Sequence, residues 1–441
     1  MANGKLICIL LLLFAARAFP QTPDAAAVGA RPLTLADAVA RALDQASNYR
    51  AAKIGERLAA EDIKQARAGF YPKITVQPNL IYTSPSFSRP ADAAPRPPSF
   101  LGANDVTEFQ AFVNAAGEID TSGKLKAALE RSRAVLESAR QGSEIARLEL
   151  VQTVTDAYYN LALAAVKRRG AAENLQAAAD FEANTRLQLD AGEVAPVDLV
   201  RARLQTAQRR DEAAQAATDE TIAAAALRFL IGVDFNTPVV VEDLLVQLPQ
   251  AGEIDAYVAT AVSARPEFAQ FEADRRASEE DVRLARAERR PQFNYSVSAG
   301  FISDSLRPNR IGNSTGVQAT VGVTIPLFDW GASRSRETQA RLRIEQTANS
   351  RILAERQFVE QFYVARTQAL AAAARIRELG ATIRDAEINL ETSIARYRAG
   401  EAPIVEATDA QNLLIAARQA LYQAIYDYQT ARARLLRAIG Q

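Results

Sequence analysis

Two passages separated by a constant 219 positions carry the same residues in the same order. The first is NYRAAKIGERLAAEDIKQARAGFYP (48–72), and the second is EFAQFEADRRASEEDVRLARAERRP (267–291). They share Arg57/Arg276, Glu61-Asp62/Glu280-Asp281, Ala66-Arg67-Ala68/Ala285-Arg286-Ala287 and Pro72/Pro291. Such matching at a fixed offset is an internal duplication, so the fold must be assembled from two versions of one unit. Whatever follows Pro72 should have a counterpart after Pro291.

It does. Beyond Pro291, Phe293, Tyr295, Val297, Ala299 and Phe301 alternate with Asn294, Ser296, Ser298 and Gly300. After a polar loop, Val317, Ala319, Val321, Val323 and Ile325 alternate with Gln318, Thr320, Gly322 and Thr324. Period two predicts strands, and the loop predicts a hairpin over about 291–327. Each arm has about ten residues, the length of a tilted strand that crosses a bilayer. One face is apolar and the other polar but nearly uncharged, as in the wall of a membrane barrel. Alone, such a pair suits a soluble hairpin packed on a core better than a barrel wall. Beyond Pro72, however, Ile74, Val76, Leu80 and Tyr82 alternate with Thr75, Gln77 and Asn79. A Pro/Ser-rich loop (84–104) follows, then Phe109, Ala111, Val113 and Ala115 alternate with Glu108, Gln110 and Asn114, giving a second hairpin over about 72–117. Recurrence at duplicated positions favours the barrel.

The rest reads as helix. Leu33 to Leu43 predicts a short helix with Thr34 as its cap, and Asn48 to Phe70 a medium one. Very long patterns run from about Leu125 to Leu189 and from about Ser335 to Tyr397, with apolar steps of three and four such as Val151, Val154, Tyr158, Leu161 and Ala165. At 1.5 Å per residue each is roughly 100 Å long, which implies a coiled coil or a helical tube. Both end in Ala-Gly-Glu followed by a proline (LDAGEVAPVD, 189–198; YRAGEAPIVE, 397–406). Gly192 and Gly400 suit left-handed caps, and Pro196 and Pro403 suit helix starts. Return helices follow over about 197–230 and 405–438. The organisation expected is a first repeat over 33–232, a mixed connector over 233–252 and a second repeat over 253–441. Ahead of these lie a tether (19–32) and a signal peptide (1–18) built from Lys5, LICILLLLFAA and Ala16-Arg17-Ala18. No later stretch suits a membrane-spanning helix, so any crossing must be by strands.

Composition narrows the chemistry. Cys8 is the only cysteine and there is no histidine. That removes disulfides, Ser-His-Asp and Cys-His arrangements, and leaves no expected cofactor or metal site. The 52 basic and 52 acidic residues give no sign of nucleic-acid binding. Four membrane strands per chain cannot close by themselves, and the smallest barrels have about eight strands, so the chain must oligomerise.

The two-fold repeat, the strand-terminal PLFDWG (326–331) and the Ala-Gly-Glu turns together resemble the TolC family of outer-membrane efflux channels, over nearly the whole mature chain. The resemblance implies a mostly α fold with membrane β: a homotrimer with a 12-stranded β-barrel in the outer membrane, continuous with a 12-helix periplasmic α-barrel, and a mixed equatorial belt. It implies a passive exit duct, not an enzyme, coupled through a periplasmic adaptor protein to an inner-membrane pump in a tripartite efflux or type I secretion system. The periplasmic gate candidates are then Glu406 and Asp409, three residues apart at a helix start, with Asp198 as first-half counterpart and Tyr397 as a latch. Ala402 stands where a basic latch partner can occur. Gly192, Glu193, Gly400 and Glu401 are candidates for adaptor contact. Phe70, Tyr71, Phe328 and Trp330 are candidates for an aromatic belt facing outer-membrane lipid. For the gate acids the competing reading is plain helix capping. For the chain as a whole it is a periplasmic coiled-coil structural or adaptor protein with soluble hairpins.

Overall fold

A computed structural model describes residues 32–84, 107–246, 249 and 252–441. The expected signal peptide, nearly all of the expected tether and most of the Pro/Ser-rich loop lie outside the described residues. The first repeat supplies α1 (Leu35–Asp44), α2 (Asn48–Ala68), β1 (Lys73–Tyr82), β2 (Thr107–Ile119), α3 (Lys124–Asp190) and α4 (Pro196–Ile231). The second supplies α5 (Pro266–Ala287), β3 (Gln292–Ser303), α6 (Pro308–Asn313), β4 (Thr315–Thr324), α7 (Ala332–Arg398) and α8 (Ile404–Ala438). Both long helices have 67 residues, about 100 Å.

The strands form one antiparallel sheet in the order β1-β2-β3-β4. Beside it, α2 packs on α3, α3 on α5, and α5 on α7. The two orders match because each strand continues directly into, or out of, one of these helices. Sheet and helical layer are therefore one four-lane wall. β1 with α2 lines one flank, and β4 with α7 lines the other. Further from the sheet, α4 takes the place of α2 against α3, and α8 packs on both α7 and α3. Two shorter helices thus lie end to end beside each long one, as their lengths suggest.

The core lies midway along the helices, where small residues let backbones approach and large ones fill the gaps. Tyr158, Leu161, Leu227, Phe362, Ile425 and Tyr428 are buried there with Ala369 and Ala424. Among the described residues, the connector and the start of the second repeat add three short 3-10 turns, Leu244–Val246, Glu253–Ala256 and Ala259–Ala264. The tyrosine hydroxyls tie this belt to the helices. Tyr158 Oη donates to the Leu33 carbonyl (2.9 Å) and accepts from the Glu242 amide (3.2 Å), while Tyr428 Oη donates to Glu253 (2.9 Å).

Three local expectations shift. Leu33 is not helical: it forms an isolated parallel bridge with Val241, its N–H donating to Val240 at 2.7 Å. Thr34 then caps α1 by accepting from the Asp37 amide. α2 ends at Ala68, two residues earlier than Phe70, in turns that prepare the strand. The polar loop of the second hairpin holds the six-residue α6, started by Pro308.

Candidate functional site

The ladder registers decide what the wall presents. Ile74, Ala115 and Val297 share a face with Ala319, and Val76, Val113 and Ala299 share it with Val317. Gln77, Asn114, Ser298 and Gln318 occupy the opposite face. Alternation along each strand is therefore in phase across all four, giving one continuous apolar sheet surface and an opposite surface that is mostly polar but also carries Ile81, Phe112 and Ile302. No described residue covers the apolar side at the edges: Val317 and Val321 are each 73% exposed. Two glycines keep the register. A Cβ on Gly117 would strike the Tyr295 ring at 2.6–2.9 Å, and one on Gly300 would strike Phe112 and the Ala111 carbonyl. Each aromatic thus lies across a cross-strand glycine. On the polar face, Ser298 Oγ donates to Asn114 Oδ1 (3.1 Å). At its helical end the Lys124 ammonium pairs with Glu118 (2.9 Å).

The turns from strand to long helix are polar caps. Asp120 accepts the first amides of α3, from Leu125 and Lys126 (3.1 and 2.9 Å). Asp329 accepts the amides of Gly331 and Ser333, and hydrogen bonds from Ser333 hold its carboxyl below the usual range. Next to Asp329, Trp330 has φ +51°, the one non-glycine residue with positive φ among those described. A bulky residue there is strained by about 1–3 kcal/mol. Its indole packs edge-on against Phe328 (4.9 Å) and is otherwise exposed. Phe70 and Tyr71 are also exposed but lie at the other flank, before β1. The four belt aromatics are not brought together within one chain.

At the far end, both helix turns close through left-handed glycines, Gly192 (φ +79°) and Gly400 (φ +73°). The following amides complete the caps: Glu193 N–H donates to the Gln188 carbonyl (2.8 Å) and Glu401 N–H to that of Arg396 (2.9 Å). Pro196 is the first residue of α4, whereas Pro403 is the N-cap of α8. Gly192, Glu193, Gly400 and Glu401 are all exposed at the apices.

The gate candidates differ in what neutralises them. Asp198 faces Arg201 one turn along α4, at 4.0 Å. Glu406, half-buried, is paired across the turn by Arg396, which the sequence reading missed. The basic partner comes from one turn before the glycine; Ala402 itself is buried. Asp409 is exposed and has no ion pair among the described residues. Tyr397 links the two helix pairs. Its hydroxyl reaches Gln188 Oε1 of α3 at 3.5 Å and its ring lies 5.8 Å from Phe181. Burial, and then the charge of Asp198, push its phenol upward. Gln188 and Phe181 were also missed. Their signal was available, because both lie within three turns of the glycine on the matching long helix.

Between tip and belt, α3, α4 and α8 line an open cavity of about 560 Å³ with Asn160, Lys167, Asn174, Gln215 and Asp219 on its walls. No group of three or more metal-ligating side chains occurs among the described residues, and no described helix is long and apolar enough to span a membrane.

The sequence matches the family described as "Outer membrane efflux protein" over residues 38–233 and 258–441. It is 26% identical over 415 residues to Protein CyaE of Bordetella pertussis, covering 93% of this chain and 84% of that protein. It is 24% identical over 350 residues to the Cation efflux system protein CusC of Escherichia coli K12, covering 77% and 75%. The crystal structure of the Campylobacter jejuni CmeC outer membrane channel superposes with a TM-score of 0.81 at 19% identity, over 92% of this chain and 85% of that one.

Proposed function

The chain belongs to the outer membrane efflux protein family, and from that membership we propose that three copies close into a passive exit duct, met in the periplasm by an adaptor that joins it to an inner-membrane pump. The fold is TolC-like, and the protein resides in the outer membrane with its helices in the periplasm. One observation carries the proposal. A four-stranded sheet with one uncovered apolar face and two open edges is continuous with two helices of 67 residues. In lipid an open edge leaves its N–H and C=O groups unpaired at several kcal/mol each, so β4 of one copy must meet β1 of the next. Three copies then give twelve strands, within the range of closed barrels. The same flanks carry exposed apolar side chains along the helices: Ile54 and Leu58 on α2, Ile352 and Leu353 on α7. A soluble coiled-coil or adaptor protein would leave both surfaces in water.

In this reading the in-phase polar face lines the pore and the apolar face meets lipid. Phe70, Tyr71, Phe328 and Trp330 mark the periplasmic boundary of the membrane. The helix tips form the inner mouth. There Asp409 of each copy supplies unpaired negative charge, Glu406 and Asp198 supply charge balanced by arginine, and Tyr397 holds one helix pair to the other. The exposed Gly-Glu apices, Gly192-Glu193 and Gly400-Glu401, are where the adaptor sits. A duct of this kind performs no bond chemistry. Fractionation tests the whole reading: the protein should run as a heat-modifiable, SDS-resistant trimer from the outer-membrane fraction. Recovery as a soluble periplasmic monomer would sink it.

A further inference from the structure

We propose that the aromatic residues at the base of the sheet form a clamp between copies of this chain, with Phe328 and Trp330 of one copy packed on Phe70 and Tyr71 of the next. The inference rests on the trimeric reading above and adds a specific contact to it. Phe70 and Tyr71 immediately precede β1, and Phe328 and Trp330 follow β4. β1 runs away from the helices and β4 runs back towards them, so both aromatic pairs lie at the helical end of the sheet. They also lie on its two opposite edges. When the edge of β4 pairs antiparallel with the edge of β1 in the next copy, the two pairs are brought to the same corner.

Two observations favour a protein partner over lipid. Trp330 and Phe328 are 86% and 73% exposed and touch each other but no other ring among the described residues. The left-handed backbone at Trp330, a strained conformation for a bulky residue, holds an indole that remains 86% exposed.

The sequence itself makes the test clean, because Trp330 is the only tryptophan and Cys8 the only cysteine. The full-length protein carrying Tyr71→Cys and Phe328→Cys, in outer membranes, is treated with a short bifunctional thiol reagent. A ladder of covalently linked dimer and trimer, lacking in either single variant, is the expected result. In the otherwise native protein Trp330 emission reports independently. Phe70→Ala with Tyr71→Ala should shift it to the red, and vesicles of brominated-chain phosphatidylcholine should leave it largely unquenched. A trimer of normal size that gives no linked product, with Trp330 quenched by brominated lipid and indifferent to Phe70 and Tyr71, overturns the clamp and assigns these residues to lipid. If no trimer forms at all, the reading beneath it falls as well.

Discussion

The belt and the helix tips are held by different kinds of contact. At the belt, chain-distant groups are joined through buried polar bonds. Glu267, 12% exposed, takes Arg265 at 2.7 Å and Arg437 at 2.6 Å, guanidinium groups that are themselves 4% and 10% exposed. Arg265 also lies over the Phe358 ring at 3.6 Å. Tyr158 and Tyr428 anchor the connector, and Arg432 pairs with Glu253 beside them. At the tips the links are the part-exposed pair Arg396–Glu406 and a tyrosine contact at the limit of hydrogen-bonding distance. Exposed pairs contribute about 0–1 kcal/mol each, whereas unpairing one member of a buried ion network costs about 3–5 kcal/mol. The helices are therefore held more tightly at mid-length than at their tips.

The largest effect should come from the belt. Glu267→Gln leaves two buried arginines short of a counter-charge and should cost about 3–5 kcal/mol, read as a lowered melting temperature by circular dichroism in detergent. If a tip substitution destabilised the protein as much, the distinction between belt and tips would fail. Tyr158→Phe strips partners from the Leu33 carbonyl and the Glu242 amide and should cost about 1–3 kcal/mol. Burial raises this phenol to about 12, so its proton stays in place at every usable pH.

Acid sharpens the comparison. Burial raises the Glu267 carboxyl, but hydrogen bonds from Arg265 and Arg437 outweigh it and bring it down from 4.5 to about 2. A depressed carboxylate contributes its stability above the unfolded value and loses it as pH falls through the folded one. The Glu267 contribution should thus be complete above about pH 4.5 and fade only towards pH 2. Thermal scans of wild type and Glu267→Gln should converge there and nowhere higher.

At the tips the expected changes are in conduction, with the melting point nearly unmoved. Glu406→Gln with Asp409→Asn should reduce cation preference in planar bilayers, and unchanged single-channel behaviour would reject their gate role. Arg396→Ala removes one exposed pair, at most about 1 kcal/mol per chain, and should raise the fraction of time open. The smallest change should follow Asp198→Asn, because that acid has Arg201 on its own helix.

Much of this was legible in the residues. The offset between Pro72 and Pro291 exposed the two-fold plan, period two exposed the strands, and the glycines at 192 and 400 fixed the tips to the residue. Two things were not. Leu33 reads as helix because its side chain fits the apolar stripe, yet its backbone is claimed by Val240 and Tyr158, contacts made across long stretches of sequence. Likewise Glu406 and Asp409 form an obvious acidic pair one turn apart. That Arg396 folds back over the turn onto only one of them depends on the turn geometry, which spacing along a helix does not encode. Trp330 could be singled out as the lone tryptophan, but its left-handed backbone could not.

The ladder between β2 and β3 has a kinetic side. Asn114 and Ser298, hydrogen-bonded neighbours in the sheet, are 184 residues apart in the chain, while each hairpin is local. Closing so long a loop slows a folding step. The two hairpins and their helices can therefore form as independent halves, and the centre of the sheet is stitched last. To an assembling barrel, the middle of this chain is as much a junction as the boundary between two chains. Halves synthesised as separate polypeptides, divided within the connector, should for that reason still find each other.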